Sequence, residues 1–260
     1  MVVVSWQVED GVVLENGLVG PDMGRMIVEA PGITAASRPG HFIMARCWEG
    51  EPLLPRAMAP LRYDTGTGRM EIFYRIKGPG TQAMAEASAG VTAHLTGPLG
   101  RPVENGFEGK NVALVGRGVG ITPLLPLAER VVETGGSVRA YLSARIRNYL
   151  FGLDFFRELG PVRERIDDEG WAGSRVTELL EEDCEEWRVE EIYVCGSRRL
   201  VRHAHEIGER LGVPAYVFLE EKMGCGTGFC KGCPVQLREG GYKLVCTDGP
   251  LMPTKEIVLI

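Results

Sequence analysis

The chain is poor in the residues that most catalysis at neutral pH relies on. Only four histidines occur in 260 residues, and they are scattered: His41, His94, His203 and His205. His203 and His205 stand two apart, a spacing that faces opposite sides of a helix. No Ser/His/Asp constellation can be assembled, and no paired general acid and base can be named. A basic excess is also missing: the net charge of −6 and pI near 5.4 argue against a nucleic-acid footprint. No stretch reaches 18 uninterrupted apolar residues, so no transmembrane helix is expected. The opening MVVVSWQVEDG lacks a basic region and a small-residue cleavage site, so no secretory signal is read there. Internal repeats and low-complexity tracts are absent. With so little side-chain machinery, the chemistry is expected to belong to bound cofactors.

Cysteine and glycine are what the chain does have. Four of its seven cysteines lie near the C-terminus as Cys225-x4-Cys230-x2-Cys233, a gap, then Cys246. This is the plant-type spacing for a [2Fe–2S] cluster held by four thiolates. Gly224, Gly226, Gly228 and Gly232 interleave with the first three thiols, as a loop needs that folds tightly and points N–H groups at sulfide. A zinc knot or two disulfides are the plainer readings. Zinc modules usually use two Cys-x2-Cys knuckles or add histidine, whereas here the first gap is x4 and the nearest histidine is His205. The pattern favours iron–sulfur. Cys47 and Cys184 read as ordinary thiols, and the cysteine usage fits a reducing, cytoplasmic setting better than a secreted scaffold.

At 44% hydrophobic content and this length, two or three modules are expected. Residues 1–106 carry short β-prone runs (VVLENGLVG, GRMIVEA, HFIMARCW, RMEIFYRI, VTAHLTGPLG) bounded by turn residues, which predicts an antiparallel β-barrel or sandwich. One alanine-rich helix, 81–87, interrupts them. Residues 107–219 alternate apolar strands (111–115, 137–142, 191–196) with helices (123–133, 151–159, 175–182, 200–211), predicting a doubly wound parallel sheet. Residues 220–260 form a small Gly/Cys-rich module ending in a strand-like 256–260. The acidic run 181–186 reads as a solvated helix end. The fold class is therefore α+β multidomain: β-barrel, α/β domain, cluster module.

Three further motifs are candidates for ligand binding. Gly116-Arg117-Gly118-Val119-Gly120-Ile121-Thr122-Pro123 joins a buried strand to a helix, where amides can face a pyrophosphate. Its third glycine comes one residue early for G-x-G-x-x-G, and Arg145 rather than an acid ends the next strand. Lys77-Gly78-Pro79-Gly80-Thr81 is either an anion site or a plain turn with Thr81 as N-cap. Pro55-Arg56-Ala57-Met58-Ala59-Pro60 is strand-like with one arginine, and Cys195-Gly196 ends a buried strand at the ligand edge of the sheet.

Taken in order, these motifs resemble the electron-transfer subunits of heterotetrameric dihydroorotate dehydrogenase within the ferredoxin reductase-like superfamily. The likeness spans essentially the whole chain and is most specific at Glu220–Cys233 and Val245–Pro250. It implies FAD on the barrel, NAD(H) on the α/β domain and one [2Fe–2S] cluster on Cys225, Cys230, Cys233 and Cys246. It matches Arg56, Ala57, Met58 and Ala59 to the flavin motif Arg-Pro-x-Ser, with Ala57 and Ala59 replacing the motif's proline and serine. Tyr74, Arg75 and Ile76 match the second flavin strand, and Gly80 and Thr81 the flavin pyrophosphate turn. Gly116, Gly118, Gly120, Pro123, Cys195 and Gly196 match the nicotinamide site. The implied partner is a catalytic flavoprotein subunit in a hetero-oligomer, with neither nucleic acid nor membrane involved. A related subunit of a sulfhydrogenase or transhydrogenase-like complex, or a non-enzymatic iron–sulfur sensor, are the other readings.

Overall fold

A computed structural model of the chain describes residues 6–173, 175–184 and 186–259. Its Cα packing groups the chain into two compact units: 1–102 with 220–234 and 244–250, and 103–219 with 235–243 and 251–260. The segment 220–260 is thus apportioned between the two.

The first unit is built on a seven-stranded antiparallel sheet. Its strands are β1 (Gln7–Gly20), β2 (Met23–Glu29), β3 (Phe42–Arg46), β4 (Arg56–Met58), β5 (Arg62–Asp64), β6 (Arg69–Arg75) and β7 (Thr92–Leu99). They run in the order β4-β3-β7-β1-β2-β6-β5, leaving β4 and β5 as edges. The expected barrel is therefore a curled half-barrel. Period-2 alternation produces its core, because successive side chains point to opposite faces. Met26 and Val28 on β2 lie opposite Ile72 and Met70 on β6, and all four are fully buried. Each such side chain contributes about 1.5–3 kcal/mol.

Two helices are fitted to this sheet. The sequence reading missed α1 (Pro31–Ala36), which is only six residues long. Its start is stabilised from outside: both Glu9 carboxylate oxygens on β1 accept from the N–H groups of Gly32 and Ile33, at 3.1 and 2.7 Å. That partner is invisible to a local pattern. The second helix, α2 (Pro79–Glu86), has Pro79 at its first position and Gly78 as N-cap. Thr81 is not the N-cap; its hydroxyl accepts from the Lys77 N–H at 2.9 Å and so ties the turn back from the third helical position. The far end of α2 is held by Asn16, whose side-chain amide donates to the carbonyls of Met84 and Ala87, each at 2.7 Å.

The second unit is an α/β sheet of β8 (Asn111–Arg117), β9 (Ser137–Ala144), β10 (Val162–Ile166), β11 (Glu191–Cys195) and β12 (Ala215–Phe218). These five are parallel, in the order β10-β9-β8-β11-β12. Helices α3 (Leu124–Glu133), α4 (Leu153–Leu159), α5 (Val176–Asp183) and α6 (Arg198–Leu211) connect them. Val112, Ala113, Leu114 and Val115 are fully buried, as a strand covered on both faces must be. Strands β10 and β12 escaped the sequence reading. In β10 the apolar pattern is broken by Arg163 and Arg165, which carry ion pairs.

The tail departs from expectation. Strands β13 (Pro234–Gln236) and β14 (Tyr242–Leu244) form a hairpin, followed by the short helix α7 (Val245–Asp248). The last strand is β15 (Leu251–Pro253), antiparallel to β12, not the expected 256–260. Ile257 makes only a single bridge to Leu237, and Ile260 lies outside the described residues.

The acidic run is not merely a solvated end. Asp183 is the hub of a network on α5, reached by Arg139 at 2.9 Å and the Tyr141 hydroxyl at 3.0 Å, with Arg163 also paired to it. Glu185 lies outside the described residues. Burial works to raise the Asp183 carboxyl, but these donors outweigh it and hold it below its ordinary value of 3.8. A depressed carboxylate stabilises the fold fully above its unfolded pKa, and that contribution is lost as pH falls through the folded value. We predict that Asp183→Asn destabilises the protein by about 3–5 kcal/mol at pH 7. Denaturant titrations at pH 7 and pH 3 will check this: the gap between variant and wild type must narrow at the lower pH.

Candidate functional site

The four cysteines of the motif come together, and they do so in pairs. Cys225 and Cys230 place their sulfurs 3.3 Å apart, and Cys233 and Cys246 place theirs 3.2 Å apart. Both separations far exceed the roughly 2.05 Å of a disulfide, and all four thiols are free. Among the described residues no three His, Cys, Asp or Glu side chains converge on one metal position. A mononuclear zinc site needs four ligands around a single point. Two pairs instead fit a binuclear centre, with two thiolates for each iron and bridging sulfides between.

The loop backbone explains the glycines. Gly226 and Gly228 have φ of 74° and 85°, the left-handed region that favours glycine. A Cβ on Gly226 would fall 2.6 Å from Met44 Cγ and 2.8 Å from Leu99 Cδ1, so the loop lies directly on β3 and β7. The N–H groups of Thr227 and Cys230 both donate to the Cys225 sulfur at 3.4 Å. Burial acts to raise the Cys225 thiol, but these hydrogen bonds prevail and bring it down to about 6. Such donors favour the thiolate that a metal requires. Cys246, buried beside Cys233, is pushed up to about 12 in the thiol form. The residues fit the cluster.

Cys246 is held by a segment that the sequence reading passed over. The Arg101 guanidinium donates to the Thr247 carbonyl at 3.0 Å, and its backbone N–H donates to the Gly249 carbonyl at 2.6 Å. The Asp248 carboxylate accepts from the Leu244 N–H at 2.8 Å, closing the turn around the ligand. Arg101 is more than a hundred residues away in sequence, so no local signal could have singled it out.

The flavin candidates lie in the same unit. Arg56 on β4 extends its guanidinium over Gly80: a Cβ on Gly80 would sit 2.2 Å from Arg56 Cζ. The first intrahelical bond of α2 runs from the Gln82 N–H to the Gly78 carbonyl at 2.9 Å. The N–H groups of Gly80 and Thr81 precede it and point out of the helix start beside the arginine. Together they form a cationic, donor-rich cradle of the kind a pyrophosphate needs. A hollow of about 440 Å³ beside α2 is lined by Trp48, Ala83, Glu86 and Val91 among others. Ala57 and Met58 pair with Met44 and Ile43 on β3. Ala59 follows, half-buried.

Tyr74 is different. Its side chain is 1% exposed, lies under Gly24 and donates to the Asn16 side-chain oxygen at 2.8 Å. Only its backbone can serve a ligand. Arg75 is paired with Asp22 at 2.8 Å, and the Ile76 N–H donates to the Asp22 carbonyl.

The nicotinamide candidates converge in the second unit. Gly116 is the next-to-last residue of β8, Gly118 turns with φ of 56°, and Pro123 precedes α3. A Cβ on Gly120 would lie 2.7 Å from the Cys195 carbonyl oxygen and 2.9 Å from the Gly196 nitrogen. Two strand-end turns therefore meet backbone to backbone at the carboxyl edge of the sheet, between β8 and β11. This is where the strand order reverses and where open α/β sheets bind ligands.

Gly226→Ala is predicted to cost the protein its cluster, because the methyl group collides with Met44 and Leu99 while the backbone is in a left-handed turn. Iron and acid-labile sulfide per chain must fall to less than half of the wild-type value, while Gly232→Ala, with only Cys230 Sγ at 3.4 Å, loses less.

Comparison with known proteins agrees with this geometry. Residues 220–258 match a family described as the iron–sulfur cluster binding domain of dihydroorotate dehydrogenase B. The dihydroorotate dehydrogenase B (NAD(+)) electron transfer subunit of Bacillus cereus strain Q1 is 30% identical over 97% of this chain and 99% of its own length. The same subunit from Bacillus caldolyticus is 35% identical over 85% of the chain and 87% of its own length. Among solved structures, that of an NADH-dependent reduced ferredoxin-NADP oxidoreductase superposes with a TM-score of 0.87 at 26% identity, covering 96% of this chain and 90% of that one. A ferredoxin NADP+ reductase from Neisseria gonorrhoeae with bound FAD and NADP shares the fold, with a TM-score of 0.64 at 19% identity over 80% of this chain and 92% of that one. By its thiol pairs, its glycine turns and its near full-length likeness to these relatives, the chain belongs to the family of electron transfer subunits of dihydroorotate dehydrogenase B.

Proposed function

We propose that this chain is the FAD- and [2Fe–2S]-carrying subunit of a cytoplasmic dihydroorotate dehydrogenase in pyrimidine biosynthesis. In that role it exchanges electrons between a catalytic flavoprotein partner and NAD(H), within a heterotetramer. The observation that carries the reading is a physical link inside one unit. The cluster loop lies on Met44 through Gly226, and Met44 pairs with Ala57 on the flavin strand β4. One strand therefore separates the two candidate cofactor positions. Residues 1–106 serve the flavin, 107–219 the nicotinamide and 220–260 the cluster.

The division of labour follows from the chemistry. Nicotinamide exchanges two electrons as a hydride and a [2Fe–2S] centre passes one at a time, so a flavin supplies the conversion between them. The chain's own residues bind and orient. Arg56 would offset the charge of the flavin pyrophosphate, and the Gly80 and Thr81 N–H groups would donate hydrogen bonds to it. The Trp48 hollow would give room for part of the flavin nucleotide beside α2. Backbone groups of Tyr74, Arg75 and Ile76 would contribute the second flavin-binding strand, and Ala59 brings no hydroxyl to the flavin. Gly116, Gly118 and Gly120 would let a dinucleotide approach the β8 turn, which Pro123 closes into α3, with Cys195 and Gly196 forming the opposite wall. Thr227 and Cys230 N–H groups hold negative charge at sulfur. No residue set is assigned to dihydroorotate, so oxidation of that substrate belongs to the partner.

Two outcomes test this. Arg56→Ala is predicted to weaken FAD binding at least tenfold, since a charge-assisted hydrogen bond is worth about 1.5–3 kcal/mol. Equilibrium dialysis against FAD measures it, with iron content retained as a control for folding. In the anaerobically purified wild type, NADH must bleach the flavin absorbance, and Gly120→Val must abolish that bleaching. A protein that carries iron and sulfide without stoichiometric FAD, and ignores NADH, would instead be an iron–sulfur sensor.

A further inference from the structure

Two side chains of opposite charge are fastened to the turn that carries Cys246. Asp248 stands two residues after the ligand, at the end of α7, and its carboxylate accepts from the Leu244 N–H at 2.8 Å. Arg101 arrives from the end of β7. Its Nε–H donates to the Thr247 carbonyl at 3.0 Å, and its Nη2 donates to the Asp248 carboxylate at 3.4 Å. Gly100, with φ of 83°, permits this approach: a Cβ there would lie 2.7 Å from Pro250 Cδ and 3.0 Å from the Gly249 carbonyl oxygen. Thr247 in turn rests on the loop of the first thiol pair, since a Cβ on Gly228 would fall 2.7 Å from Thr247 Cγ2. The guanidinium is thus bonded to the peptide next to the fourth ligand, in a turn packed against the loop of the first two.

Fold stability does not account for this arginine. Its side chain is 65% exposed and that of Asp248 31%, and an ion pair so open to water contributes little. The main-chain bond from Arg101 N–H to the Gly249 carbonyl, at 2.6 Å, anchors the segment whatever the side chain is. What the side chain adds is charge at a chosen place. Reduction of a [2Fe–2S] centre brings one more electron to a group that is already anionic, and its potential follows local charge, hydrogen bonds and exposure. A carboxylate two residues from a ligand opposes that electron, and a cation bonded to the carboxylate offsets the opposition. The nearest basic neighbour in sequence, Lys243 on β14, is committed to Glu256 at 2.9 Å.

We propose that Arg101 is a positioning residue that sets the reduction potential of the centre held by the four cysteines: it offsets the Asp248 carboxylate beside Cys246 and so favours the reduced state. The inference rests on the cluster assignment above and concerns its potential alone.

The test is a redox titration of the anaerobically purified holoprotein, followed by electron paramagnetic resonance of the reduced centre. Arg101→Gln keeps the main-chain anchor and removes the charge. It should make the centre at least threefold harder to reduce, a midpoint lower by about 28 mV at 59 mV per tenfold change. Asp248→Asn, which still offers the Leu244 N–H an acceptor oxygen, should shift the midpoint upward. The double variant should return to within about twofold of the wild type, as should Arg101→Lys, which keeps the charge. Iron and sulfide per chain should stay at the wild-type level throughout. A midpoint indifferent to Arg101→Gln, or an Arg101→Lys midpoint as low as that of Arg101→Gln, overturns the proposal. Loss of iron from Arg101→Gln overturns it too, because the guanidinium is then a scaffold. None of these results touches the cluster assignment, which fails only if the wild type itself holds no iron and sulfide and gives no signal on reduction.

Discussion

The constraint on which the first unit depends is the seating of a glycine-rich loop on a β-sheet. The first sulfur pair forms only if the chain between Cys225 and Cys230 turns twice in the left-handed region, at Gly226 and Gly228, and comes within van der Waals distance of Met44 and Leu99. Glycine alone satisfies both demands at once. The sheet must in turn offer a firm surface, which it does because β3 and β7 are adjacent strands with buried inner faces. Arg101 then extends this support to the fourth ligand by holding the carbonyls around Cys246. The cluster loop is therefore part of the half-barrel rather than an appendage to it.

The same backbone logic recurs at each candidate site. Gly80 leaves space for the Arg56 guanidinium, Gly120 for the Cys195 carbonyl, and Gly226 for Met44. In every case a missing Cβ brings two segments together so that N–H groups or a cation face outward. Ligands with negative charge or with sulfide are suited by this, and the scarcity of histidine ceases to be a puzzle. A chain that binds its chemistry needs donors and shape more than titrating side chains.

Local signals in the chain are legible from its residues, and long-range partners are not. The cysteine spacing, the β8 apolar run and the glycine turns were legible because each motif carries its own geometry. Helix α1 was missed because its N–H groups are satisfied by Glu9 from another strand, and β10 because its arginines answer to carboxylates on α5. Asp183 looked like one more solvated acid until Arg139, Arg163 and Tyr141 converged on it. Tyr74 was matched to a flavin strand by its position, yet its ring belongs to the core through Asn16. The division of the tail between two units has no counterpart in composition at all.

X-ray absorption at the metal edge of the anaerobically purified protein tests the central claim most directly, because it reports both ligands and neighbours. Paired thiols predict iron with four sulfur neighbours and a second iron in the next shell, two metals per chain. A single zinc per chain, ringed by four sulfurs with no metal beyond them, would contradict the account.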